Sequence, residues 1–198
     1  MSNQFFAILS RMKYINRWGL MRNTINENLS EHSLETAYIA HLLATIRNVR
    51  FNGNVNAERC AVLAMYHDCT EILTGDMPTP VKYFNTEIKS AYDEVEKTAI
   101  DKMISFLPDD ISENYISLFE KREEDKELWK LVKAADKLSA LIKCIEEKQM
   151  GNKDFLSAEK ATMKNIRKMN IKEADIFIDE FVDAYGLTLD EQAGGSLL

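Results

Sequence analysis

Apolar residues recur three or four positions apart along most of this 198-residue chain, which is the spacing of one face of an α-helix. The pattern predicts an amphipathic helix at Phe5–Ile15, and then a longer helix that Asn28 or Ser30 caps. In this second helix we expect His41 to be a hydrogen-bonded core histidine. The expected inward stripe of the same helix is Leu34, Ala37, Tyr38, His41, Leu42 and Thr45.

A third helix is predicted to begin at Asn54 or Asn56 and to end at Gly75. Further helices are predicted over residues 85–107 and 109–122, from about 123 onward, and around 153–169 and 171–184. We therefore expect an all-α fold, with a single helical domain over residues 1–189. A polar segment at 190–198 is expected to be a flexible C-terminal tail.

The net charge of the chain excludes some classes of binding partner. The net charge of −7 argues against a surface built for polymeric nucleic acid or for an anionic membrane, but it leaves room for a small phosphate ligand. Three cysteines without a CxxC pair are expected of reduced thiols in a cytosolic protein. The apolar segment Phe5–Leu9 is too short for a secretion signal, and no run approaches membrane-spanning length. We expect a cytoplasmic protein.

Polar side chains interrupt the apolar run at the end of the third helix. On a helix, His67, Asp68 and Glu71 share one side, because residues three or four apart are neighbours. An imidazole and an adjacent carboxylate can reach one cation, and burying both without a partner would be costly. The segment is a candidate metal site with an acid/base residue, Glu71, beside it.

Two further residues extend this candidate site. His32 stands in the first turn of the second helix, where a lone histidine is usually a cap or a surface residue, but His67 offers it a partner. Asp136 lies against an apolar helix face and needs a cation or, alternatively, a salt bridge to Lys133, Lys137 or an arginine. Two imidazoles and two carboxylates suit Mn, Co, Fe or Ni, with Mg or Zn also possible.

Two turn segments could contact a substrate. Arg17 offers a planar fork for a phosphate and Trp18 a rigid wall, although a Trp packed on the core beside a solvated Arg would also fit. Prolines confine the loop Asp76–Pro80, so that Asp76 and Thr79 would lose little entropy on binding. An ordinary interhelical turn is the alternative.

The order of histidines and aspartates over helices resembles the HD-domain metal-dependent phosphohydrolases, an all-helical family that binds a cation through four such side chains. The resemblance is closer to the bacterial 5'-deoxynucleotidases of the YfbR type, and it extends from about Phe5 to Leu189. The segments that carry it are Asn16-Arg17-Trp18, Ser30-Glu31-His32-Ser33, Ala64-Met65-Tyr66-His67-Asp68, Glu71, Leu73-Thr74-Gly75-Asp76, Pro78-Thr79-Pro80-Val81-Lys82-Tyr83-Phe84-Asn85 and Ala135-Asp136.

The resemblance implies a homodimeric cytoplasmic enzyme that hydrolyses deoxyribonucleoside 5'-monophosphates and spares ribonucleotides. It implies one divalent cation, with cobalt the favoured activator, held by His32, His67, Asp68 and Asp136. The implied catalytic residues are Glu71, Arg17 and Asp68. The implied substrate contacts are Arg17, Trp18, His32, Asp76, Met77, Pro78 and Thr79.

Three other interpretations stay open. An HD site could hydrolyse another nucleotide, such as a triphosphate or an alarmone, although one phosphate-directed arginine and an acidic surface favour a monophosphate. A metal-holding nucleotide sensor without turnover would have no use for Glu71. A helical bundle with incidental histidines would have to explain the His67–Asp68 pair and Asp136 separately. The residues do not decide whether Glu71 takes a proton from water or gives one to the leaving group.

Overall fold

In a computed structural model of the chain, residues 3–82 and 84–194 are described, apart from the side chain of Thr79. These residues form eleven α-helices and no β-strand, which confirms the all-α prediction. The helices are α1 Phe5–Leu9, α2 Leu29–Arg50, α3 Ala57–Tyr66, α4 Glu71–Thr74, α5 Thr79–Lys82, α6 Thr86–Ile104, α7 Asp109–Phe119, α8 Lys126–Gln149, α9 Leu156–Lys168, α10 Lys172–Glu180 and α11 Leu189–Gln192.

The long helices α2 and α8 pack with α3 around the main hydrophobic core. Leu43 of α2, Leu63 of α3 and Leu131 and Leu138 of α8 are fully buried in it. Each such leucine stabilises the fold by about 1.5–3 kcal/mol relative to an exposed one. The core therefore fixes the relative positions of α2, α3 and α8. The residues of the candidate site lie at the start of α2, just after α3 and in the middle of α8.

A capping box fixes the start of α2, and of the two predicted caps, Asn28 and Ser30, it is Asn28 that forms it. The Asn28 side chain accepts hydrogen bonds from the backbone N–H groups of Ser30 and Glu31, at 3.0 and 3.1 Å. The Glu31 carboxylate accepts the Asn28 N–H at 3.0 Å. Because these bonds satisfy the free N–H groups of the first turn, His32 is held at a fixed depth in that turn.

The inward stripe predicted for α2 is confirmed at Ala37, which is buried, and at Leu42, which packs against the core, but it is wrong at three other positions. Leu34 and Tyr38 are 48% and 67% exposed, and His41 is exposed rather than a core histidine. The buried face instead carries the polar residues His32 and Thr36 among alanines, leucines and isoleucines. Because His32 and Thr36 lie on the inner face while Leu34 and Tyr38 lie outside it, hydrophobic periodicity misplaces the edge of the buried face of this helix.

The third predicted helix is divided. Its first part, α3, begins after its cap Asn56 and ends at Tyr66, and a turn over residues 67–70 separates it from α4. Gly75 follows α4 with φ of +75°, a backbone conformation that favours glycine. The break turns the backbone at His67, which changes the direction in which His67 and Asp68 project.

The end of the chain holds one more short helix. Residues 190–192 of the predicted tail belong to α11, which a capping box of Thr188 and Glu191 starts. Residues 195–198 of that tail lie outside the described part. Throughout residues 3–82 and 84–194, every helix falls short of the length and apolarity that a bilayer crossing requires.

Candidate metal centre and active site

Four side chains from three parts of the fold meet at one point. His32 comes from the first turn of α2, His67 and Asp68 from the turn after α3, and Asp136 from the middle of α8. One ligand atom of each lies within 4.8 Å of the others. The His32 Nε2 atom is 3.3 Å from Asp136 Oδ1 and 3.5 Å from Asp68 Oδ2, and His67 Nε2 is 3.1 Å from Asp68 Oδ2. The structure thus brings together all four residues predicted as metal ligands.

Hydrogen bonds set the tautomer of His32. Its Nδ1 lies 3.0 Å from the hydroxyl oxygen of Ser139, and that hydroxyl donates to the Glu35 carboxylate at 2.5 Å. Because the Ser139 proton is engaged with Glu35, the Ser139 oxygen accepts the Nδ1–H of His32. In this tautomer of the neutral ring, the lone pair is on the other nitrogen, Nε2, which is directed at the cluster.

The second histidine is oriented by the backbone. His67 Nδ1 donates to the carbonyl oxygen of Ala64 at 2.7 Å, since a carbonyl can only accept. The Nε2 atoms of both His67 and His32 are buried and make no hydrogen bond within the described residues. Two such nitrogens next to two carboxylates fit a divalent cation, because uncompensated buried polar atoms are otherwise costly.

The charges of the cluster are those of a cation site. Burial raises the pKa of Asp68, but the neighbouring His67 and His32 outweigh this and hold the pKa well below its usual range. Burial likewise raises the pKa of Asp136, but the close contact with His32 and the charge of Lys137 outweigh this and hold the pKa well below its usual range. Both carboxylates are therefore ionised. Lys137 Nζ lies 3.0 Å from Asp136 Oδ2, which leaves Oδ1 towards His32.

In the absence of a cation, His67 attracts a proton. Burial lowers its pKa, but the charge of Asp68, and the hydrogen bond that a protonated Nε2 would donate to it, raise the pKa to about 9. A bound cation and this proton compete for the same nitrogen.

Glu71, the first residue of α4, stands beside the four-residue cluster and is not part of it. Burial, and then the negative charges of Asp68 and Asp76, raise the pKa of Glu71 to about 9. Its Oε2 atom is buried and makes no hydrogen bond within the described residues. Glu71 can therefore carry a proton at neutral pH in the cation-free protein.

Arg17 and Trp18 both donate hydrogen bonds to one carboxylate, that of Glu27. Arg17 Nη1 donates to Glu27 Oε2 at 3.0 Å and the Trp18 indole N–H donates to the same oxygen at 2.8 Å. The Arg17 side chain is only 12% exposed, and its Nη2 lies 4.0 Å from Asp136 Oδ1. Arg17 is thus not a solvated neighbour of a core tryptophan; it borders the cluster.

Trp18 is held in a backbone conformation that non-glycine residues rarely adopt, with φ of +61°. Its ring packs on Phe155, with the ring centroids 5.3 Å apart. A rare backbone conformation persists only where its surroundings impose it, here the Glu27 carboxylate and the Phe155 ring.

The Asp76 segment lies next to Arg17 and Trp18. Burial raises the pKa of Asp76, while Arg17 and a hydrogen bond from the Trp18 backbone act in the opposite direction. Met77 and Pro78 follow as partly buried residues, and Thr79 begins α5. The side chain of Thr79 lies outside the described part, so the substrate contact predicted for it stays a prediction.

Comparison with known proteins places this geometry in a family. The family model described as 5'-deoxynucleotidase YfbR-like matches residues 4–185. This chain belongs to that family. A 5'-deoxynucleotidase of Enterobacter sp. strain 638 is 49% identical over 189 residues, which cover 96% of this chain and 95% of that one. The resemblance stated from the motifs is thereby confirmed.

Solved structures show the same fold. An HD-domain phosphohydrolase of Listeria innocua matches with a TM-score of 0.74 and 24% identity, covering 96% of this chain and 92% of that one. The HD phosphohydrolase of cyanophage S-2L, solved with dA and one catalytic Zn²⁺ ion, matches with a TM-score of 0.64 and 17% identity, covering 89% and 95%. This YfbR-like chain therefore has the HD-domain helical bundle predicted for it.

Sequence reasoning missed the residues of this YfbR-like site that act through others. Glu27, Glu35 and Ser139 lie in no motif, and only their contacts reveal them. The buried Lys143–Glu147 pair of α8 was also missed, although its spacing of four residues is a signal for an ion pair.

The Lys143–Glu147 pair forms hydrogen bonds with the backbone of the loop that follows Trp18. The Glu147 carboxylate accepts the backbone N–H groups of Thr24 and Ile25 at 2.9–3.1 Å. Lys143 Nζ donates to Glu147 at 2.5 Å and to the Ile25 carbonyl. Because this loop also carries Glu27, the pair helps to position the two residues that Glu27 holds.

Proposed function

We propose that this chain hydrolyses deoxyribonucleoside 5'-monophosphates to deoxyribonucleosides and inorganic phosphate, using one divalent cation held by His32, His67, Asp68 and Asp136. The observation that carries the proposal is the position of Arg17 next to Asp136, which puts a phosphate-binding fork beside a cation site. The family match and the named 5'-deoxynucleotidase relatives support the same reaction.

The residues divide the work of the reaction. The cation, when bound, supplies charge neutralisation for the phosphate and acidifies a water molecule. Arg17 orients the phosphate through its guanidinium N–H groups, and Asp68 would be one of the four ligands of the cation. A water oxygen would bond to phosphorus as the bond between phosphorus and the 5'-oxygen breaks. Glu71 would give its proton to the departing 5'-oxygen and regain one from the water-derived oxygen of the phosphate. Burial, the largest cause of the raised pKa of Glu71, does not depend on the cation, and it supports this acid role over the alternative of a base.

Sugar selection follows from Trp18. Its indole N–H is already engaged with Glu27, so it has no donor left for a 2'-hydroxyl. Placed against carbon 2' of the sugar, the ring would strip water from such a hydroxyl without replacing its hydrogen bond. That loss costs about 1–3 kcal/mol, or about 5- to 150-fold in discrimination. Asp76, next to Trp18, would hold the sugar from the other side, with Met77, Pro78 and Thr79 continuing that wall.

The test is phosphate release from matched deoxyribo- and ribonucleoside 5'-monophosphates, with metal restored to chelator-treated protein. We expect release from the deoxy series only. In Trp18→Ala the ribo series should be hydrolysed as well, with the deoxy series in the same variant as the internal control. Unchanged discrimination in Trp18→Ala would refute the account of sugar selection. Absence of release, together with tight binding of metal and nucleotide, would favour the sensor.

We further propose Co²⁺ as the preferred cation, with Mn²⁺ as an alternative, because two imidazoles and two carboxylates without a thiolate suit both ions. Mg²⁺ and Zn²⁺ also accept these ligands. Phosphate release with each of the four ions, at equal free-ion concentration, ranks them. Highest activity with Mg²⁺ would contradict the preference.

We also propose that the chain is a homodimer in the cytoplasm. An exposed apolar face supports the dimer: Phe6, Leu34 and Met65, between 46% and 55% exposed, line one groove, and Tyr38 lies one turn beyond Leu34. The odd number of cysteines suits a reducing compartment. Sedimentation of Tyr38→Lys beside the unaltered chain tests this face. A dimer of unchanged stability would exclude it.

A further inference from the structure

A groove of about 680 Å³ opens onto the metal centre. His67, Asp68 and Asp136 line its inner end, while α6 and α8 contribute residues to its walls. The residues of the proposed sugar side, Arg17, Trp18 and Asp76, do not line it. The groove therefore offers room beside the reacting phosphate that the nucleoside, placed against Trp18, would not fill.

The lining of this groove is rich in positive charge, although the chain as a whole carries −7. Among the described residues, six lysines line it, against four carboxylates, two of which are the predicted ligands Asp68 and Asp136. The lysines are Lys82, Lys89, Lys121, Lys126, Lys130 and Lys133. The groove is thus a local exception on an acidic protein, and it favours an anionic occupant.

Several of these lysines are free to bind an anion. Lys126 and Lys130 form exposed ion pairs with Glu123 and Glu127, at 2.7 and 2.5 Å. Within residues 3–82 and 84–194, Lys89, Lys121 and Lys133 form no ion pair with a carboxylate. A lysine ammonium group suits a phosphate as a point charge.

The lysines of α8 form a path that leads to the metal centre. Lys126, Lys130, Lys133 and Lys137 are spaced four, three and four residues apart, so they share one face of the helix. Lys137 already contacts Asp136. Lys133 stands three residues before Asp136, about 4.5 Å along the helix axis, which is within reach of a group attached to the phosphate at the centre.

The described lining lacks the paired donor and acceptor that read adenine, since it contains neither Asn nor Gln. Phosphate groups, by contrast, need only the positive charge of its lysines. The aromatic residues of its described lining are Tyr66, Phe119 and Trp129.

We propose that this groove binds the second and third phosphate groups of deoxyribonucleoside di- and triphosphates, which thereby compete with the monophosphate for the metal centre. The inference rests on the proposed function, since it places the first phosphate at the centre and the sugar at Trp18. It makes nucleoside polyphosphates inhibitors of monophosphate hydrolysis. The lysines that we expect to contact the second and third phosphate groups are Lys89 of α6 and Lys133 of α8.

The experiment compares three anions by calorimetry on the metal-loaded protein, at a constant buffered concentration of free metal. The anions are inorganic phosphate, inorganic tripolyphosphate and a deoxyribonucleoside triphosphate. The same anions are tested as inhibitors of monophosphate hydrolysis. The double variant Lys89→Ala/Lys133→Ala is set beside Lys164→Ala/Lys168→Ala, which removes two exposed lysines of α9 and so makes the same change of charge away from the groove.

We expect the triphosphate to bind more tightly than tripolyphosphate, and both more tightly than phosphate. The groove variant should weaken tripolyphosphate and the triphosphate by on the order of tenfold and leave phosphate within about twofold, since only the longer chains reach Lys89 and Lys133. The α9 variant should change none of them.

Equal weakening of phosphate and tripolyphosphate, or equal effects of the two variants, would overturn the inference. Equal binding of tripolyphosphate and the triphosphate would overturn its assignment to a nucleotide. Monophosphate hydrolysis that the triphosphate does not inhibit would overturn it while leaving the proposed function intact. Failure of monophosphate hydrolysis would refute the proposed function, and the calorimetry would still decide what the groove binds.

Discussion

Replacing Ser139 with alanine tests whether the contacts behind His32 set the affinity of the metal centre. Ser139 is fully buried, and its oxygen is the nearest partner of His32 Nδ1, at 3.0 Å. The other hydroxyl near that nitrogen, on Thr36, is 3.5 Å away and at the limit of a hydrogen bond. The substitution therefore leaves the buried N–H of His32 without a good acceptor and frees the ring to adopt the other tautomer.

The Ser139→Ala substitution is expected to weaken metal binding. Removing the hydrogen-bond partner of a metal-binding histidine costs about 10- to 100-fold in metal affinity. This corresponds to about 1.4–2.7 kcal/mol. Ser33→Ala is the matched control, because Ser33 is a buried serine next to His32 whose hydroxyl has no partner among the described residues.

The assay is competition for Co²⁺ between the protein and a chelator of known affinity, with circular dichroism to establish that each variant is folded. We expect Ser139→Ala to bind Co²⁺ about 10- to 100-fold more weakly and Ser33→Ala to bind it as the unaltered protein does. Equal affinity of Ser139→Ala and the unaltered chain would refute the argument. An equal loss in both variants would show that packing, rather than the hydrogen bond, is responsible.

Other predictions concern proton transfer, pH and stability. Glu71→Gln should lower kcat by about 10²- to 10⁴-fold with unchanged Co²⁺ affinity, and weaker metal binding would instead make Glu71 a ligand. Because His67 has a pKa of about 9 without metal, Co²⁺ affinity should rise up to tenfold per pH unit until about pH 9; a flat profile would contradict this. Glu147→Gln should cost about 3–5 kcal/mol in urea unfolding, since it leaves a buried lysine unpaired, whereas the exposed Glu146→Gln should change little. Burial raises the pKa of Glu147, but hydrogen bonds lower it to about 2 from its ordinary value of 4.5. Its stabilisation is therefore complete above pH 4.5 and is lost as pH falls towards 2, a dependence that Glu147→Gln should lack.

The sequence was sufficient to select residues that the fold brings together, because their chemistry conflicts with their surroundings. Asp136 interrupts an apolar helix face, and His67 and Asp68 end an apolar run, so each needs a partner. The cap at Asn28 was also predictable, since capping depends on neighbouring residues only.

Other features depended on contacts that sequence spacing does not contain. The side of α2 that is buried could not be read from hydrophobicity, because His32 and Thr36 point inward while Tyr38 points outward. The link from His32 to Glu35 through Ser139 joins residues 107 and 104 positions apart. Such pairs become visible only once α2 and α8 are packed together.

The most direct test of the central claim is a metal titration of the chelator-treated chain, followed by phosphate release from a deoxyribonucleoside 5'-monophosphate. If His32, His67, Asp68 and Asp136 hold one essential cation, release should rise linearly with Co²⁺ and level off at one equivalent per chain. The same titration of Asp136→Asn should remain near the background. Full release without added metal, or a rise that continues to two equivalents, would contradict the account.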